Sequence, residues 1–305
     1  MRILQFLFFL CLPFNWLIGQ NSDDTKKLLV SKDSVSFYSF NKKGVSEYTV
    51  LESKKLSKKY IEYSKPFPEE LKLVELDVLA PVVSEDGGVY FLYPGGGVLF
   101  KYFNGLFERI DESFAHRNQF SGYFFEYKKE LYLLGGYGYW KANSLLIKFN
   151  FEVRNWELVS ALGQTPKNGI NNGSFVLEKN KLHVFDFYTR VDDLNVKNNS
   201  HYVLDLDQML WKKEGALNNT LFSESKKEYE LQAEFGNSLL QKNVDEWPLR
   251  IITPRDNQIR FYNAEQLHNV NSLAIVVGKN IVYPVLSADR EYETLIVRDL
   301  YNNIT

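Results

Sequence analysis

Hydrophobic positions along this 305-residue chain fall in short runs rich in β-branched and aromatic residues, separated by Gly, Asn, Asp and Lys. Runs of that length with turn residues between them predict strands, and few stretches hold the period of a helix. The clearest unit has an inner strand over 122–127, a buried second strand over 131–134, a third over 145–150 and a fourth over 156–160. The unit before it repeats the order at 81–84, 89–92, 98–102 and 106–110. The unit after it does so at 173–177, 182–185, 202–205 and 211–213. The predicted fold class is therefore all-β, built from four-stranded antiparallel units.

Spacing within the units carries more information than the runs themselves. Leu131-Tyr132-Leu133-Leu134-Gly135-Gly136 is followed, twenty residues after its last glycine, by Trp156, and degenerate copies lie on either side. Phe100 and Phe107, Phe149 and Trp156, and Leu204 and Trp211 are each seven apart, so an aromatic opens each fourth strand and can wedge against a neighbouring unit. Phe107 to Trp156 is 49 residues and Trp156 to Trp211 is 55, in the range of a propeller repeat of about 50. In these residues the chain resembles the Kelch-repeat family, whose pattern is an apolar strand, a glycine pair, then Tyr-Asp and a Trp seven residues after that Tyr. Gly135-Gly136, Phe149-Asn150 and Trp156 match best, while Tyr93-Pro94 and Asp186-Phe187 stand where the flanking units would show the glycine pair. The resemblance covers 81–213 and implies a Kelch-like β-propeller similar to the galactose oxidase-like central domain.

Further strand-like runs at 33–51, 258–263, 273–277, 281–286 and 293–299 read as divergent blades. With about 50 residues per blade the chain accommodates six, and the ring is expected to close by pairing strands from its two ends. The stretch 221–247 fits either strands or a short helix, because Leu231, Phe235 and Leu239 recur every four residues.

Residues 1–19 are set apart. Met1-Arg2 gives a positive start, residues 3–18 are almost wholly apolar, and Gly19 ends the run, the layout of a secretory signal peptide. The propeller is then expected over 20–305, with its clearest blades at 81–110, 122–160 and 173–213, in a secreted or periplasmic protein. No later stretch approaches the roughly 18 consecutive apolar residues of a membrane span. Cys11 is the one cysteine and lies in the leader. Disulfides, thiolate metal sites, cysteine nucleophiles and the Cys-linked tyrosine of the galactose oxidase copper site are therefore not expected. Core burial must supply the stability, and 23 Phe and 19 Tyr provide much of it. A net charge of −2 gives no footprint for nucleic acid or an anionic membrane. The Lys-rich stretch 54–72 is interleaved with Glu and reads as a solvated face.

In a four-stranded blade the second-to-third and fourth-to-first connections emerge on one face, where the ring gathers loops 111–119, 137–144, 161–171, 188–200 and 214–222. On that face Tyr137, Tyr139 and Trp140 are suited to stacking on sugars or anchoring a protein. Arg190, beside Asp192-Asp193, and His116 with Arg117 complete the candidate ligand-binding set. The competing expectations are that the rings pack on the next blade and that Arg190 pairs weakly within a turn. His116, His183, His201 and His268 show no helical ligand spacing, so no metal or other cofactor is expected, and His183 reads as a strand residue, partly buried and hydrogen-bonded. Gly95-Gly96-Gly97 precedes a strand, unlike a phosphate loop. Asn172, Asn198, Asn218 and Asn303 head Asn-x-Ser/Thr triplets in polar loops. The expected function is a non-catalytic binding scaffold for a protein or glycan. The alternative is a sugar-modifying epimerase, lyase or hydrolase at the central mouth.

Overall fold

The computed structural model describes residues 27–216, 229–243, 249–262, 270, 273–286 and 293–300. The leader expected over 1–19 and His268 lie outside these. The chain forms a six-bladed β-propeller, each blade an antiparallel meander that starts at its inner strand. Blade 1 comprises Leu28–Ser31, Ser36–Phe40, Gly44–Val50 and Leu56–Glu62. Blade 2 comprises Ala80–Val83, Val89–Leu92, Leu99–Phe103 and Leu106–Arg109. Blade 3 comprises Tyr123–Tyr127, Glu130–Leu134, Leu146–Asn150 and Asn155–Val159. Blade 4 comprises Ser174–Glu178, Lys181–Phe185, Ser200–Asp205 and Leu210–Ala216. Blade 5 comprises Tyr229–Phe235, Ser238–Asn243, Leu249–Thr253 and Gln258–Tyr262. Among the described residues blade 6 has three strands, Ile275–Val277, Asn280–Leu286 and Glu293–Asp299.

Hydrophobic area drives the blades together, and each predicted wedge lies in the layer between its blade and the one before. Phe107 stacks on Phe91 at 5.0 Å and shares a cluster with Phe40 of blade 1. Trp156 packs with Tyr90, Leu92 and Leu99 of blade 2 and donates its Nε1–H to the Gly97 carbonyl at 2.6 Å. Trp211 joins Phe125, Tyr132 and Leu134 of blade 3. The ambiguous stretch resolves to strands, since the Leu231, Phe235 and Leu239 recurrence spans a hairpin whose turn is Gly236-Asn237.

Two features concern connections. The expected pairing of strands from the two chain ends falls on segments outside the described residues; among those described, the inner strand of blade 1 pairs with its own second strand. Leu29 and Phe37 pack on Val277 and Val282 of blade 6, and Lys54 meets Asp299 at 3.5 Å. The loop 161–171 also begins with a short strand, Leu162–Gly163, which runs parallel to the outer edge of blade 4 at Leu210 and Trp211 and covers it.

Candidate functional site

The glycine pair explains how blade 3 builds its outer loop. Gly135 and Gly136 have φ of 70° and 103°. A Cβ on Gly135 would lie 2.9 Å from the Ile170 carbonyl, and one on Gly136 would lie 2.6 Å from Gln119 Cα. Only a residue without a side chain threads this gap in the left-handed region. Directly after it, Tyr137–Gly138 pairs with Lys141–Ala142, and Tyr139 and Trp140 form the two-residue turn with φ of 48° and 65°. In blade 4 Asp186 follows the second strand with φ of 48°, and the chain then forms the longer hairpin Phe187–Val191 and Leu194–Asn198 around Asp192 and Asp193. The loop 188–200 is thus largely strand.

Both hairpins dock in the same way. Phe120 and Tyr137 exchange backbone hydrogen bonds at 2.9 and 2.8 Å, tying the blade 3 hairpin to the connection from blade 2. Asn171 and Tyr188 do the same at 2.8 Å for blade 4. The hairpins meet through Arg190, whose guanidinium lies 5.5 Å from the Tyr137 ring centre and whose amide donates to Asn168.

The six residues singled out from the sequence therefore fall in one neighbourhood. Tyr137 is half-buried against Arg190, the packing role anticipated as its competing reading. Tyr139 and Trp140 are 70% and 79% exposed. The Tyr139 hydroxyl donates to the His116 carbonyl at 3.1 Å. The half-buried His116 imidazole touches Phe114 edge-on, and burial lowers its pKa despite Asp111 nearby. Arg117 is exposed with φ of 55°. Arg190 and Asp193 are 3.5 Å apart, an open turn pair of small energetic weight. Trp140, Asn168, Arg190, Asp192 and Asp193 line a cavity of about 430 Å³ between the hairpin tips. Phe114, 73% exposed beside His116, belongs to this surface and was not singled out.

A second polar region lies between blades 4 and 5, opening near the turns of the opposite face. A cleft of about 490 Å³ is lined by Glu178, Lys181, His183, His201, Glu214 and Arg255, among others. His183 and His201 stand on neighbouring strands, and His183 Nδ1 lies 2.9 Å from His201 Nε2. Arg255 donates to Glu178 Oε1 at 2.9 Å. Desolvation lowers both imidazole pKa values, and His183 helps bring His201 down to about 4. At His183, Glu178 and Glu214 oppose the shift while Lys181 and Arg255 reinforce it; at His201, Glu214 opposes it.

The unfolded chain takes up protons on these histidines below about pH 6.5, whereas the folded pair resists them. The stability held by the neutral pair is thus complete above that pH and is lost as pH falls towards about 4. Acid should destabilise the protein by an amount on the order of 3 kcal/mol from His201, and His201→Gln should flatten the fall in Tm between pH 7 and pH 5. A variant with an unchanged slope would place the acid sensitivity elsewhere.

Farther in, the same blades share an ion pair. Arg250 is wholly buried and donates Nη2 to Asp186 Oδ2 at 3.1 Å and Nε to Gln241 Oε1 at 2.8 Å. Gln241 continues to Ser174 Oγ at 2.8 Å. At the inner strands Tyr123 stacks on Phe175 at 4.6 Å and donates to Glu234 of blade 5. Neither region was assembled from the sequence.

No helix among the described residues is long and apolar enough to cross a membrane. No family model matches the chain and no curated protein matches it, so the hairpin face is characterised by its own geometry and chemistry.

Proposed function

We propose that this is a secreted or periplasmic Kelch-like propeller acting as a non-catalytic binding scaffold, with a protein or carbohydrate ligand held across the two hairpins. The observation that carries the reading is the Tyr139-Trp140 turn, where two bulky, exposed residues both occupy the left-handed region. A two-residue hairpin turn imposes that conformation on the residues at its tip, and here it holds both rings out in solvent rather than against the blades. Trp140 lines the same cavity as Asn168, Arg190, Asp192 and Asp193. A stacking plane flanked by donors and acceptors suits the apolar face and hydroxyl rim of a sugar, and equally an anchoring point for a protein. The positive φ of Gly135 and Gly136 and the Trp156 bond to blade 2 support the Kelch-like reading. The apolar leader supports an extracytoplasmic location.

A glycan-array and monosaccharide screen on residues 20–305 tests this, with Trp140→Ala as control. Loss of a hot-spot ring should weaken binding by about 30-fold, or ~2 kcal/mol. Binding untouched by the substitution would remove the ligand from this face, and silence across the array would leave the protein branch, tested by cross-linking at position 140.

The enzyme alternative rests on Glu234, a residue exposed to solvent at the inner strands, whose carboxyl accepts from the Tyr123 hydroxyl and is raised by the protein packed around it. A carboxyl poised in that direction suits a general acid. Glycan turnover that is abolished by Glu234→Gln with binding intact would favour that alternative.

A further inference from the structure

The cleft between blades 4 and 5 is lined by two residues, His183 and Glu178, whose chemistry selects a ligand. One hydrogen joins His183 Nδ1 and His201 Nε2 across their 2.9 Å contact. If His183 supplied it, the bare lone pair of its Nε2 would face Glu178 Oε2, 3.8 Å away. A lone pair beside a carboxylate is repulsive, so His201 supplies the hydrogen and His183 carries its own on Nε2. That N–H is enclosed, in a residue only 4% exposed, and has no hydrogen-bond partner among the described residues. The separation from Glu178 is too long for a direct hydrogen bond. Arg255 meanwhile holds the other Glu178 oxygen in place.

A fixed donor and a fixed acceptor thus stand side by side without meeting. A carboxylate ligand could not donate to Glu178, and an ammonium could not accept from His183. A hydroxyl does both. The rest of the lining repeats the mixture, with Glu214 as acceptor and Lys181, Arg255 and Asn257 as donors. The volume of about 490 Å³ falls within the roughly 300–1,000 Å³ of small-molecule sites.

We propose that this cleft is a binding site for a small neutral polyhydroxylated molecule, one hydroxyl of which bridges His183 Nε2 and Glu178 Oε2 after the side chains enclosing that nitrogen shift to admit it. It is separate from the hairpin face and does not depend on it. A single bridging water satisfies the same two atoms, and it is the occupant the experiment must distinguish.

Isothermal titration of residues 20–305 at pH 7.5 with glucose, galactose, mannose, myo-inositol and glucuronate tests the proposal. At least one neutral polyol should bind in the millimolar range or tighter. Glu178→Gln, which keeps the side-chain volume, should weaken it by at least about tenfold, while Trp140→Ala should leave it unchanged. His201→Gln provides a second variant, and the thermal transition of each verifies folding. Long-range proton–nitrogen spectra should show His183 protonated at Nε2 in the ligand-free protein. A panel that is silent for every neutral polyol means water only and overturns the proposal. Binding confined to glucuronate, binding retained in Glu178→Gln, or the opposite His183 tautomer would overturn it as well. Loss of neutral-polyol binding in Trp140→Ala with Glu178→Gln unaffected would move the ligand to the hairpin face.

Discussion

Arg250→Met should lower the free energy of unfolding by about 3–5 kcal/mol, the cost of removing one partner from a buried ion pair. The substitution retains much of the volume but leaves the Asp186 carboxylate in the blade 4–5 layer without the guanidinium 3.1 Å away, and Gln241 without its donor. Arg250→Lys should recover little, because a single ammonium cannot reproduce the two-direction reach of Nε and Nη2. Combining Arg250→Met with Asp186→Asn should cost less than the two changes added together, since the pair is coupled. Urea unfolding of the four proteins, compared by midpoint at constant slope, provides the cycle. Strict additivity would mean that the pair contributes no mutual stabilisation.

Phe40→Ala should cost a similar amount, about 3–5 kcal/mol, through packing alone. Phe40 is completely buried between blades 1 and 2 and lies within 4.9 to 6.4 Å of the ring centres of Tyr38, Phe91, Tyr102 and Phe107. The void would remove edge-to-face contacts as well as transferred area. Phe40→Leu should recover much of the loss, and a midpoint shift for Phe40→Ala no larger than that for Phe40→Leu would show that the layer collapses around the gap.

Blades 2, 3 and 4 were legible in the sequence because their information is local. Val89–Leu92 coincides with its predicted strand, and the other strands of those blades overlap theirs, differing at one or both ends. Blade 1 was harder for a physical reason. Its outer strand Leu56–Glu62 is mostly exposed on both faces, so it carries no alternation and reads as the solvated Lys-rich face that it also is. The hairpin residues could be found because Tyr137, Tyr139 and Trp140 are neighbours in the chain. His183 with His201, and Asp186 with Arg250, could not. Strand register joins the first pair across 18 residues and blade packing joins the second across 64. Asp186 had one visible signal, its place where a glycine was expected. An Asp tolerates the left-handed backbone there and adds a carboxylate that glycine lacks.

The seam between blades 1 and 6 has a mechanical consequence. Among the described residues no main-chain ladder crosses it, and Leu29, Phe37, Val277 and Val282 hold it by contact. Traction that separates the first and last blades would shear an apolar joint before it unravelled any meander, leaving a crescent of intact blades able to reclose.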